Sequence, residues 1–178
     1  MRIRWFVLVC LLVSATLVTS LESPATARSG SMAYPVGDAP ASVDITRLSV
    51  VNGVDRFSMR VEVRDLGERG YVDFHYWRGR RSTPPPRSLI VEVRYVDGQA
   101  RARFLSCGRE DCVRARCEGL SATWRPQADV VAISAPQSCY PRGPQDAGPV
   151  TVGRFFAGAG VGGDDDDGSS EPLLLTRG

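Results

Sequence analysis

Residues 50–64 read VVNGVDRFSMRVEVR, and this stretch decides the fold. Phe57, Met59, Val61 and Val63 alternate with Ser58, Arg60, Glu62 and Arg64. A period of two places one set on a buried face and the other in water, which describes a β-strand. Just upstream, Val51-Asn52-Gly53-Val54-Asp55 is a turn signal, and Ile45, Leu48 and Val50 mark a strand before it. The two strands are expected to pair antiparallel through the Asn-Gly turn.

The same pattern continues along the chain. Leu66-Gly67-Glu68-Arg69-Gly70 interrupts it, and Tyr71 to Trp77 starts a third strand. Val72, Phe74 and Tyr76 form the purely apolar or aromatic set and are expected in the core. Tyr71, Asp73, His75 and Trp77 then point the other way. Pro84-Pro85-Pro86 cannot donate ladder hydrogen bonds, so residues 78–87 read as a surface loop between sheets.

Leu89, Val91, Val93 and Tyr95 alternate with Ile90, Glu92 and Arg94, and Asp97-Gly98 turns the chain into a strand holding Ala102 and Phe104. Further strands are expected after Cys112, from Val130 to Ile133, and from Val150 to Phe156. Trp124 reads as the opening of a connection that contains Pro126. No segment shows the 3.6-residue period of a helix. About eight short strands separated by turn residues predict an all-β fold. The expected form is a two-sheet antiparallel β-sandwich, Ig-like or jelly-roll-like, with a closed barrel as the competing architecture.

Residues 1–27 read as an export signal. Arg2 and Arg4 precede an apolar run from Trp5 to Val18, and Ala25-Thr26-Ala27 offers a small-x-small cleavage site. The run is shorter than the roughly 20 residues that span a bilayer. No later segment is apolar enough to cross a membrane, so no membrane association is expected after cleavage. Residues 28–41 read as a flexible lead-in, 42–157 as the β-sandwich domain, and 158–178 as a Gly/Asp-rich C-terminal segment whose Leu173 to Leu175 returns as an edge strand. The formal net charge of +2 is too small for a nucleic-acid footprint. Every basic side chain is Arg, which fits a GC-rich genome better than selection for guanidinium chemistry. A secreted monomer is expected.

Export leaves four cysteines, Cys107, Cys112, Cys117 and Cys139, and an oxidising compartment favours two disulfides. Three pairings are open. The preferred one joins Cys107 to Cys112 around a Gly-Arg-Glu-Asp turn, and Cys117 to Cys139. Loop-closure entropy gives about 2 kcal/mol for the first and about 3 for the second, enough for a structural role. The spacings do not suit zinc, whose ligand pairs stand closer together.

Chemistry-bearing patterns are few. His75 is the single histidine, and Asp73 lies two residues away on the same strand face. No G-x-S-x-G elbow accompanies them, so no catalytic residue, metal ligand set or cofactor is assigned. Tyr71, His75, Trp77 and Trp124 are the candidate ligand-binding residues, as an aromatic platform of the kind that stacks on sugar rings. Asp164-Asp165-Asp166-Asp167 reads as a solvated acidic loop at a hairpin tip, with Ca²⁺ as the alternative.

Several short motifs resemble a group of small secreted actinobacterial β-sandwich proteins of uncharacterised function. They are Asp44-Ile45, Asn52-Gly53, Val61-Glu62-Val63-Arg64-Asp65-Leu66, Cys117, and Val131-Ala132-Ile133 through Pro136 to Cys139. The resemblance implies a sandwich similar to carbohydrate-binding or heme-binding modules, and it supports the Cys117–Cys139 pairing. It implies no catalytic residues. The Cys107–Cys112 pair and the Asp run depart from its usual pattern. The expected function is a secreted, non-enzymatic binder of a glycan or envelope component. A structural or protein-interaction module is the alternative and a hydrolase the third reading. Exposed, coplanar Trp77 and Trp124 would favour the first, and buried rings the second.

Overall fold

The computed structural model describes residues 28–78, 88–108, 111–139, 152–166 and 171–178. The export signal, the Pro84-Pro85-Pro86 loop, Val150 and Asp167 lie outside the described residues. The strands are β1 (Arg28–Ala33), β2 (Ile45–Asn52), β3 (Arg56–Val63), β4 (Tyr71–Arg78), β5 (Ser88–Val96) and β6 (Gln99–Cys107). They continue with β7 (Cys112–Arg114), β8 (Ser121–Arg125), β9 (Val130–Pro136), β10 (Val152–Val161), β11 (Asp164–Asp166) and β12 (Leu173–Thr176).

The strands form two antiparallel sheets, neither closed into a barrel. The five-stranded sheet runs β1-β2-β3-β9-β8. The seven-stranded sheet runs β11-β10-β4-β5-β6-β7, with β12 also on β10. The alternation in residues 57–63 does what it predicts: Phe57, Met59, Val61 and Val63 are buried between the sheets. They meet Val72, Phe74 and Tyr76 of β4 and Phe155 of β10 in one core. Phe57 crosses the gap to Tyr76 at 4.7 Å between ring centroids, and Tyr76 stacks on Phe155 at 4.8 Å. Burying large aromatic side chains from both sheets in one layer is what holds the sandwich shut.

The β2–β3 hairpin forms, but its turn is longer than an Asn-Gly pair. Asn52 is the last residue of β2 and pairs with Phe57, and the Gly53 amide donates to the Arg56 carbonyl at 2.9 Å. The Asn52 side chain is buried: Nδ2 donates to the Leu175 carbonyl at 3.2 Å, and Oδ1 accepts from Gln137 Nε2 at 2.8 Å. It satisfies buried backbone instead of supplying a left-handed turn residue. Asp97 and Gly98, at φ 52° and 77°, do make a two-residue turn between β5 and β6.

Among the described residues the strands number twelve, not about eight, and four expectations change. Arg28–Ala33, read within the lead-in, is a full strand along β2. RSGSMA has no apolar period, so backbone pairing rather than a hydrophobic face defines it. The boundary at residue 157 falls inside β10. Asp164–Asp166, read as a solvated tip, is a strand: Gly162 and Gly163 take φ 62° and 109° and fold it back onto Val161. Trp124 lies within β8, not in a connection. Both disulfides join the expected pairs, Cys107–Cys112 and Cys117–Cys139. Such bonds persist in oxidising compartments. No helix among the described residues is long and apolar enough to cross a membrane.

Candidate functional site

The outer face of the seven-stranded sheet carries most of the polar chemistry, and register places it. Across this face Asp73 of β4 stands between Gly158 of β10 and Glu92 of β5, and Glu92 stands beside Arg103 of β6. One row over, Tyr71 lies between Gly160 and Arg94; on the other side, His75 lies between Phe156 and Ile90. Gly158 of β10 presents no side chain across from Asp73. A Cβ on Gly160 would fall within about 2.5 Å of the Tyr71 hydroxyl, so Tyr71 occupies the space that glycine opens.

The electrostatics are asymmetric. Glu92 accepts two hydrogen bonds from Arg94, at 2.8 and 3.0 Å, and Arg103 lies 3.8 Å away. The Arg94 hydrogen bonds hold its carboxyl below the usual range, against the opposing effect of burial. Asp73 goes the other way, raised to about 6: burial first, then the neighbouring Glu92 charge, with Arg94 opposing. Asp73 Oδ1 is buried and accepts no hydrogen bond. The Tyr71 hydroxyl donates to Asp165 Oδ1 at 2.8 Å, which with burial raises the phenol to about 12. Arg94 lies over the Tyr71 ring, 5.3 Å from its centroid.

His75 is lowered to about 4 by burial and is neutral near pH 7. Its ring stacks on Phe156 at 3.9 Å, and Trp77 meets Phe156 edge-on at 5.4 Å.

Of the four residues singled out by sequence, three share this face and one does not. Tyr71, His75 and Trp77 project from β4 together, yet Trp77 is only 5% exposed. Trp124 is on the opposite sheet, 8% exposed, inside the core. Its indole N–H donates to the Gly67 carbonyl at 2.9 Å, and its ring lies 6.0 Å from Tyr95. The expected platform of coplanar, exposed indoles is therefore not formed. What the sequence reading passed over is Glu92, Arg94 and Phe156, while Asp165 was read only as part of the acidic run. The only signal of Glu92 and Arg94 was an outward position on an alternating strand, which solvated charges share.

A depression of about 450 Å³ lies over the five-stranded sheet and is lined by Ser29, Ser31, Ser49, Ser58 and Arg60 among others. It has no buried polar atom without a partner, in contrast to Asp73. Compared with known proteins, the chain matches no protein-family model, no curated protein and no solved structure.

Proposed function

We propose that this protein is a secreted, non-enzymatic binding module whose ligand, a glycan or other hydroxyl-rich envelope component, lies across the outer face of the seven-stranded sheet. The observation that carries the reading is Asp73 Oδ1, a buried acceptor with no partner, across from Gly158 of β10. A buried acceptor without a hydrogen bond costs about 1–3 kcal/mol, which a ligand hydroxyl would offset once the side chains covering Asp73 shift to admit it. Glu92 and Arg94 flank it as acceptor and fork-shaped donor, and the His75–Phe156 stack offers an apolar surface to a sugar's C–H face.

Asp73 and Glu92 stand opposite each other with acidities pushed apart, which is also how an acid–base pair is built. Glu92, however, is engaged by Arg94 and Arg103, which weakens it as a base and supports a binding role. Two disulfides fit the extracellular setting.

A protein-interaction module without a small-molecule site is the second reading, favoured by the burial of Trp77 and Trp124. A glycan array probed with the exported protein and with Asp73→Ala separates the two. Binding that Asp73→Ala weakens at least tenfold supports the first; an array with no binding by the wild type points to the second.

A further inference from the structure

Away from that face, three carboxylates from distant parts of the chain converge at one end of the sandwich. One oxygen each from Asp38, Asp44 and Asp166 lies within 4.8 Å of the other two. Asp38 is on the loop between β1 and β2, Asp44 immediately precedes β2, and Asp166 ends β11 of the opposite sheet. The middle one is fully buried, with 0% of Asp44 exposed. Its Oδ2 accepts from the Gly37 amide at 2.8 Å and faces Arg64 Nε at 3.0 Å. Its Oδ1 is buried and has no partner.

Close by, the buried Tyr34 hydroxyl lies against the Ala157 backbone and feels the Asp166 charge. Asp166 Oδ2 itself accepts from the Ile45 amide at 2.7 Å, across 121 residues of sequence. Converging carboxylates repel one another, and Arg64 pairs with Asp44. Asp44 Oδ1, buried with nothing to bind, makes the arrangement costlier still.

We propose that Asp38, Asp44 and Asp166 form a Ca²⁺ site that clamps the β1–β2 loop and β2 to β11. The donors are all hard oxygens, which suit Ca²⁺, Mg²⁺ or Mn²⁺ over softer ions. Ca²⁺ takes six to eight oxygens in adaptable geometry, so three carboxylates on one loop and a short strand, completed by water at exposed Asp38, suit it better than the strict octahedron of Mg²⁺. The ion explains why an aspartate run packs one member inward. Asp164 and Asp165 are exposed, whereas Asp166 is buried. The clamp also steadies the other face of β11, where Asp165 holds Tyr71. The site stands on its own geometry and does not depend on the glycan reading.

The test is thermal unfolding of the exported, disulfide-bonded protein in EGTA, in 10 mM CaCl2 and in 10 mM MgCl2, with calcium titration calorimetry alongside. Extracellular calcium modules bind in the 10⁻⁴–10⁻³ M range, so 10 mM calcium should raise the midpoint by roughly 5–10 °C, and magnesium by much less. Asp38→Asn alters an exposed ligand, so the variant should fold and lose most of the shift; Asp166→Asn should lose it as well. No heat and no shift with calcium would overturn the proposal. So would a shift that both variants keep, which would put the ion elsewhere, or an equal shift with magnesium.

Discussion

Replacing His75 with Phe should make the protein more resistant to acid. His75 sits against Phe156 with its acidity lowered by burial to about 4, whereas the unfolded chain returns it to about 6.5. Between those values the unfolded state binds a proton that the folded state refuses, so stability is lost as pH falls from about 6.5 to about 4. The gap of about 2.5 pH units corresponds to about 3 kcal/mol at its limit, and to roughly 2–3 kcal/mol at pH 4.5. His75→Phe keeps an aromatic ring on Phe156 and removes the titration. Urea unfolding followed by tryptophan fluorescence, at pH 7.5 and 4.5, should show the variant gaining roughly 2–3 kcal/mol on wild type between the two conditions. A difference between the proteins that is the same at both pH values would refute the placement of His75 in an apolar setting.

Asp73 should act with the opposite sign. Its raised folded value means stability falls as pH rises from about 3.8 to about 6, so Asp73→Asn should stabilise the protein at pH 7.5 and hardly at all at pH 4. Asp73 is half-buried, and screening reduces the expected gain to about 1–2 kcal/mol; urea midpoints at the two pH values measure it. Phe57→Ala should cost about 3–5 kcal/mol, seen as an early thermal transition, because the ring bridges the sheets at Tyr76. Gly70→Ala should cost about 1–3 kcal/mol by the same assay: Gly70 has φ 110°, and a Cβ there would lie 2.7 Å from the Gly160 carbonyl.

What could be read from the sequence follows from which structural features have a period. Phe57 to Val63, Val72 to Tyr76 and Leu89 to Val93 state their faces residue by residue, and these strands pack as their alternation requires. Arg28–Ala33 has no alternation, and three aspartates have poor strand propensity, so β1 and β11 were invisible until their partners were known. Period also says which way a side chain points but not what covers it. Trp77 points away from the core as its parity demands, yet is buried. Trp124, in SATWR, had no periodic neighbours to declare it a core residue, and its contact to the Gly67 carbonyl is long-range. The same limit hid the Asp38–Asp44–Asp166 cluster, since nothing local links positions 38 and 166. Disulfide pairing was more accessible, because one short and one longer loop made a compact set.

The most direct test of the proposed binding face is an amide chemical-shift titration of the isotopically labelled, exported protein with envelope-derived oligosaccharides. The account predicts perturbations clustered at residues 71–75, 90–94 and 156–160, which meet on the outer face of the seven-stranded sheet. Shifts confined to the serine-lined depression on the other sheet, or no shifts at saturating sugar, would contradict it.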